Sequence, residues 1–239
     1  VRRGLAHFAE DFTISSARDL HPRLLKPASV APLAAVVGGK IKEVNRRGKF
    51  LWFTLDRDLA LVAHLGMTGQ FLFPRKDRPA PGHVRAHFNL KKGLKSRELL
   101  FNDPRTFGWL SVEELTGGVP TSALHIAVDP FDRAFDRGAV IAKISSRKAA
   151  IKSVILNQEI MSGVGNIYAD ESLWLAKIHP ERACSELTDL ELELLLDSVA
   201  EVMGAALKAG GTSFDEQYKN VNGESGYFDI ELCAYGQDG

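Results

Sequence analysis

Cysteine is too scarce here to organise a fold. Cys184 and Cys233 are the only two in 239 residues and stand far apart, which excludes a disulfide framework and a metal-spaced pair. Their expected state is that of buried thiols in a cytosolic protein. No apolar run reaches the length that crosses a membrane. The opening VRRGLAHFAEDF is charged and has no signal-peptide apolar core. Val1 stands where an initiator Met would be, which points to residues ahead of it. A net charge is missing as well: Lys+Arg and Asp+Glu number 30 each, so overall charge does not announce a nucleic-acid partner. There is no Ser/His/Asp set, no phosphate loop of the Walker type and no His/Cys metal cluster.

What is present is uneven charge and a change of pattern halfway along. Lys143, Arg147, Lys148 and Lys152 fall in a stretch without acids, and RRGK at 46–49 is a second basic cluster, whereas 186–201 is mainly acidic. Each cluster alone reads as a solvated face; together they suit a protein with one DNA-facing side. The first half reads as β. KFLWFTL (49–55) and LALVAHL (59–65) flank a short Asp-Arg-Asp turn, and HVRAHFNL (83–90) alternates with period two. ELLFND (98–103) and FGWLSV (107–112) flank a turn at Pro104. A short helix ending near Phe8 opens the chain. The stretch 117–138 is punctuated by Gly, Pro and Asp and reads as an interdomain connection.

Beyond it the period becomes helical. Ser145 or Ser146 is the expected cap of a helix carrying Ile151, Val154 and Ile155, and Asn166 of the next, NIYADESLWLAK. Thr188 with Glu191 is a capping box opening an amphipathic helix with Leu195, Val199, Val202 and Ala206 inward, stopped at Gly210-Gly211. The class is therefore α+β: an antiparallel β-sandwich over 1–116, the connection over 117–138, and a helical domain over 139–239.

Three turns could carry chemistry. SGVGN (162–166) places glycines ahead of a helix whose unpaired N–H groups can hold an anion, with Lys148 and Lys152 on the preceding helix; it is equally a plain tight turn. HLGMTG (64–69) puts Met67 on a Gly-flanked tip, where it can wedge between bases or pack in the core. NDPRTFGW (102–109) puts Arg105 and Phe107 near a tip suited to filling a gap in a base stack, or serves as an ordinary β-turn with a surface Arg. His83 could touch a phosphate or merely begin a strand.

Read together and in order, RRGKFL, HLGMTG, NDPRTFG, SGVGNIYADE, GGTSF, NGESGYF and AYGQDG resemble the formamidopyrimidine-DNA glycosylase family over essentially the whole chain. The endonuclease VIII-like branch shares the helical unit but usually lacks HLGM and GGTS in this form, which favours the oxidised-purine branch. The resemblance implies an N-terminal antiparallel β-sandwich joined to a helix–two-turn–helix domain with a zinc finger. It assigns Lys49 as the active-site lysine, and Met67, Arg105 and Phe107 as the residues inserted where the damaged nucleotide leaves the helix. His83, Arg105, Lys148 and Asn166 match DNA-contacting positions, and 210–218 matches the loop over the flipped base.

The implied activity is a bifunctional glycosylase and lyase on damaged double-stranded DNA, releasing 8-oxoguanine or formamidopyrimidine through an N-terminal proline imine with β- and δ-elimination. A cytoplasmic monomer is implied, with no membrane partner. Two departures stand out. The family begins with PELPEVE, carrying the proline nucleophile and a catalytic glutamate, whereas this chain starts just after it. The family's structural zinc is held by four cysteines, which would lie beyond the end of this chain. The chain as printed is therefore expected to have little glycosylase activity. Thr106 replaces a second Arg common in relatives. The competing readings are an endonuclease VIII-like enzyme for oxidised pyrimidines and a non-catalytic damaged-DNA-binding module.

Overall fold

The computed structural model describes residues 1–27, 29–74, 81–209 and 232–236. These fall into two compact units that divide between Leu124 and His125, inside the 117–138 stretch.

The first unit opens with helix α1 (Arg2–Ala9), which buries Leu5 and Ala9. Nine strands follow. β1 (Thr13–Asp19), β6 (Val84–Lys92), β7 (Lys95–Asn102) and β5 (Gln70–Leu72) form one antiparallel sheet in the order β1-β6-β7-β5. β2 (Ile41–Arg47), β3 (Phe50–Leu55), β4 (Leu59–His64), β8 (Trp109–Thr116) and β9 (Val119–Pro120) form the other in chain order. Their inner faces share one core, in which Phe53 of β3 meets Phe71 of β5 edge-on at 5.3 Å and Phe71 meets Phe101 of β7 at 5.1 Å. This is the expected β-sandwich.

The β3 sequence FLWFTL shows no clean alternation because both faces of its sheet are covered. Leu51, Phe53 and Leu55 face the sandwich core, while Trp52 joins Ala60, Val62 and Ala123 in a second cluster on the far side. The free edge of β8 is occupied too. Lys26 N–H donates to the Leu110 carbonyl, Leu110 N–H to that of Leu24, and Val30 N–H to that of Val112. Residues 24–26 and Val30 thus line β8 and shield its hydrogen-bonding groups. Gly117 and Gly118 turn β8 into β9, so this part of the stretch read as connection belongs to the sandwich unit.

The second unit contains α2 (Arg137–Ser145), α3 (Ile151–Ile155), α4 (Asn166–Leu175) and α5 (Asp189–Lys208). Two expected caps differ. Ser145 and Ser146, expected to cap α3, instead end α2, whose own N-cap is Asp136, accepting from Ala139 N–H at 2.9 Å. Helix α3 has no side-chain cap; its leading N–H groups at Ile151 and Lys152 donate to the carbonyls of Arg182 and Pro180. At α4 the N-cap is Gly165, and Asn166 is the first helical residue. The α5 capping box forms as expected, and Leu192, Leu195, Leu196, Val199, Val202, Met203 and Ala206 are buried along it. The Gly210-Gly211 stop lies outside the described residues.

The box is tied back by Arg182, whose guanidinium bonds Glu191 at 2.5 Å. That bond first, then those from Thr188, lower the Glu191 pKa from 4.5 to about 2. A lowered acid stabilises the fold above its unfolded value and loses that contribution as pH falls through about 2. Glu191→Gln is therefore expected to lower stability at neutral pH and to flatten its loss between pH 4.5 and 2 in acid titrations followed by helical circular dichroism. An acid profile that keeps the parent's slope would remove Glu191 from this role.

Candidate nucleic-acid interface

In the sandwich unit three loop tips are set at one end by strand register. Phe50 pairs with His64, and His64 with Trp109, so three aromatic rings cross β3, β4 and β8 in one row. Their centroids lie 5.5 to 5.8 Å apart, with His64 and Trp109 nearly parallel at 9°. Lys49, exposed at the tip of the two-residue β2–β3 hairpin, directly precedes this row. The HLGMTG turn follows His64 out of β4, and NDPRTFG leads into Trp109 of β8. Backbone pairing brings His83 alongside, since Asp103 N–H donates to the His83 carbonyl at 2.9 Å. Strand order thus gathers Lys49, Met67, His83, Arg105 and Phe107, which lie far apart in sequence, at one end.

The tips carry apolar groups that water does not favour. Met67 is 50% exposed and Phe107 55% exposed, so neither is a core residue. The exposed Arg105 guanidinium lies 5.0 Å from the Phe107 ring centre. Beneath them Asp103 is fully buried. Its carboxyl accepts from the Thr68 hydroxyl at 2.5 Å and from Gly108 N–H at 2.7 Å.

Lys26, His64 and Trp109 were not singled out from the sequence. Lys26 reaches over the Trp109 ring at 4.8 Å, held there by the pairing of residues 24–26 to Leu110. Burial first, then the charges of Lys49 and Lys26, push the His64 pKa below its ordinary value, so the ring is neutral at pH 7. Its Nδ1 accepts from Gly66 N–H at 3.1 Å, which leaves the proton on Nε2 as a donor. Two lysines and a hydrogen-bond donor beside stacked rings are the groups that an anion such as a phosphate would require. Only the register, which sequence spacing does not give, assembles them.

In the helical unit SGVGN forms the entry to α4. Gly163 takes φ +94°, and Gln158 locks the loop: its Oε1 accepts from Gly163 N–H at 3.0 Å and its Nε2 donates to the Val164 carbonyl at 2.8 Å. Asn166 is exposed on the first turn of α4, where unpaired N–H groups favour an anion. The two lysines differ. Lys148 is exposed ahead of α3, not on it, while the Lys152 ammonium pairs with Asp170 of α4 at 2.7 Å. Lys148→Ala is accordingly expected to weaken damaged and undamaged duplex alike and to lower the salt slope of binding by about one unit. Lys152→Ala should leave the slope near the parent's. Equal slopes for the parent and Lys148→Ala would strike Lys148 from the phosphate contacts.

A second feature escaped the sequence. Glu171 of α4 is buried, and its carboxyl accepts from the N–H groups of Cys233, Ala234 and Tyr235 at 2.7 to 2.8 Å. This fastens AYG of the last motif to NIYADE of an earlier one. Cys184 is buried as expected, but Cys233 is exposed because its segment lies on the surface of the helical unit. Among the described residues no group of three or more His, Cys, Asp or Glu side chains could hold a metal ion. The 210–218 loop lies outside the described residues. No helix among those described is long and apolar enough to cross a membrane.

Comparison with known proteins decides the family. The formamidopyrimidine-DNA glycosylase N-terminal domain matches residues 1–110, and the H2TH domain of the same family matches 126–217. The chain belongs to the formamidopyrimidine-DNA glycosylase family. It is 45% identical to the formamidopyrimidine-DNA glycosylase of Acidothermus cellulolyticus, over all of this chain and 84% of that protein. Identity with the Corynebacterium glutamicum enzyme is 46%, over all of this chain and 86% of the relative. Among solved structures, the MutM (Fpg) protein of Thermus thermophilus superposes with a TM-score of 0.84 at 34% identity, covering 100% of this chain and 85% of that one. Lactococcus lactis Fpg in complex with abasic-site DNA gives 0.80 at 29%, covering 98% and 85%.

Proposed function

We propose that this protein is a base-excision repair enzyme that removes oxidised purines from duplex DNA and then cuts the strand as a lyase. The observation that carries this is the gathering of Lys49, Met67, Arg105 and Phe107 at one end of the sandwich, in a chain that matches the family over residues 1–110 and 126–217. A base inside a duplex cannot be attacked at its sugar until it is turned out of the stack, and the vacated space must be filled. Met67 and Phe107 are exposed apolar groups suited to that space, with Arg105 beside Phe107 to bond the base left behind. His83 and the Lys26–Lys49–His64 surface suit flanking phosphates, and Lys148 with Asn166 at the α4 entry suits another.

In the family chemistry that the resemblance implies, an N-terminal proline amine attacks the sugar C1′, the base leaves, and elimination breaks the backbone. On this reading Lys49 is the residue of this chain that assists, by charge and proton transfer. A structural zinc, also implied by the family, finds no ligand set among the described residues, and no step runs through it. The protein acts in the cytoplasm as a monomer on damaged double-stranded DNA.

The test is base release from defined duplexes by the chain with the family's PELPEVE segment supplied ahead of Val1. Release of 8-oxoguanine opposite cytosine is expected. Efficient release of thymine glycol with none of 8-oxoguanine would place the protein in the endonuclease VIII-like branch. Lesion binding without any release would favour a binding module.

A further inference from the structure

We propose that Asp103 and Thr68 form a positioning pair that couples the Met67 turn to the Arg105–Phe107 turn, so that the three side chains enter DNA as one unit. This rests on the insertion role given to those residues above. The two turns lie on different connections, one after β4 and one before β8, and each alone would be a small exposed loop free to shift. The Asp103 carboxyl removes that freedom. One oxygen accepts from the Thr68 hydroxyl at 2.5 Å, in the residue next to Met67; the other accepts from Gly108 N–H at 2.7 Å, in the residue next to Phe107. The Thr68 oxygen in turn receives the Arg105 N–H at 3.4 Å. The chain of bonds therefore touches a neighbour of each inserted residue and the backbone of Arg105 itself.

Two further contacts make the link stiff. Arg85 of β6 donates through Nε to the Asp103 carbonyl at 2.8 Å and through its guanidinium to the Pro104 carbonyl at 3.3 Å, fixing the second turn to the sheet. Gly66 lies against the Phe107–Gly108 peptide so closely that a Cβ on it would sit 2.7 Å from the Phe107 carbonyl carbon. An Asp that only closed its own turn would need no partner 35 positions away. Burial of both Asp103 and Thr68 keeps water from competing for these bonds.

The test uses Thr68→Val, which keeps the shape and removes the hydroxyl, and Thr68→Ser, which keeps the hydroxyl. In the chain with the PELPEVE segment supplied ahead of Val1, Thr68→Val is expected to slow single-turnover excision from a lesion duplex roughly tenfold, the scale of one lost buried bond to a charged group, and Thr68→Ser to stay near the parent. Binding to an abasic single strand, which has no stack to enter, should not change. Met67→Ala should cost much less in the Thr68→Val background than in the parent, because the side chain is then already misaligned. Effects that simply multiply, or a parent-like rate for Thr68→Val, would overturn the coupling. Amide exchange in the DNA-free protein gives an independent measure. Protection at Arg105 and Gly108 should fall in Thr68→Val and persist in Thr68→Ser. If Met67→Ala has no lesion-specific effect while protection still falls, the insertion role fails and the coupling stands; unchanged protection overturns the coupling itself.

Discussion

Replacing Lys49 by Met, in the chain with the PELPEVE segment supplied ahead of Val1, is expected to slow base excision by about a hundredfold or more, the range of a lost proton-transfer group. Binding to an abasic-site duplex should fall far less. Lys49 sits on a two-residue hairpin whose backbone is pinned by the Arg47–Phe50 pair, so only its side chain can reach outward. It is one of several cations on this face, with Lys26 and Arg105 retained in the variant, so duplex affinity does not hang on it alone. A role confined to charge would give the opposite split, a large loss of affinity and little loss of single-turnover rate. A variant whose excision rate stays within about threefold of the parent, against the hundredfold scale of acid–base roles, would exclude Lys49 from the chemistry.

Gly66→Ala is expected to destabilise the sandwich through backbone strain and a backbone clash together. Gly66 has φ +60°, where an L-residue is strained by about 1–2 kcal/mol. The added Cβ would also stand 2.7 Å from the Phe107 carbonyl carbon and 2.8 Å from Gly108 N. Both obstacles are backbone, so no rotamer change relieves them, and overpacking of this kind adds about 1–3 kcal/mol. A loss of about 2–5 kcal/mol is expected from denaturant unfolding followed by the fluorescence of Trp52 and Trp109. Gly93→Ala is the control: Gly93 has φ +57°, but a Cβ there meets nothing within 4 Å. Only the backbone strain, about 1–2 kcal/mol, should appear. Equal losses at the two positions would mean that the Met67 and Phe107 turns do not bear on each other as described. Because Gly66→Ala displaces both turns, it should also impair excision more than Met67→Ala.

The sandwich strands were legible where packing imposes pattern. β3, β4, β6, β7 and β8 all carry dense apolar or alternating runs. β1 and β2 escaped because they are edge strands whose sequences, TISSARD and IKEVNRR, bury only Ile14 in the first and Ile41 and Val44 in the second. α2 was missed although its signal was present: Asp136 stands ahead of Val140, Ile141 and Ile144, but Pro130 before it and Gly138 within it made the stretch read as a connection. Asn166 fell one position from its expected cap because Gly165 takes the extended cap conformation itself.

The candidate site was legible as separate motifs but not as an arrangement. Met67, Arg105 and Phe107 each stood on a recognisable turn. Their shared anchor, Asp103, looked like ordinary turn chemistry, since a partner 35 residues away leaves no trace in local spacing. Lys26 carries no motif, and its place beside His64 and Trp109 depends on the pairing of 24–26 with β8. Glu171 sat inside a quoted motif, yet its three backbone partners lie more than sixty residues later.

The most direct test of the central claim is borohydride trapping on a duplex with one 8-oxoguanine opposite cytosine, using the chain with the family's PELPEVE segment ahead of Val1. An imine between protein and sugar is reduced to a permanent bond, so the adduct reports lesion recognition, base departure and covalent attack together. An abundant adduct is expected on this duplex, much less on one carrying thymine glycol, and none on undamaged DNA. Trapping on the thymine glycol duplex alone, or no adduct on 8-oxoguanine while the protein still binds it, would contradict the claim.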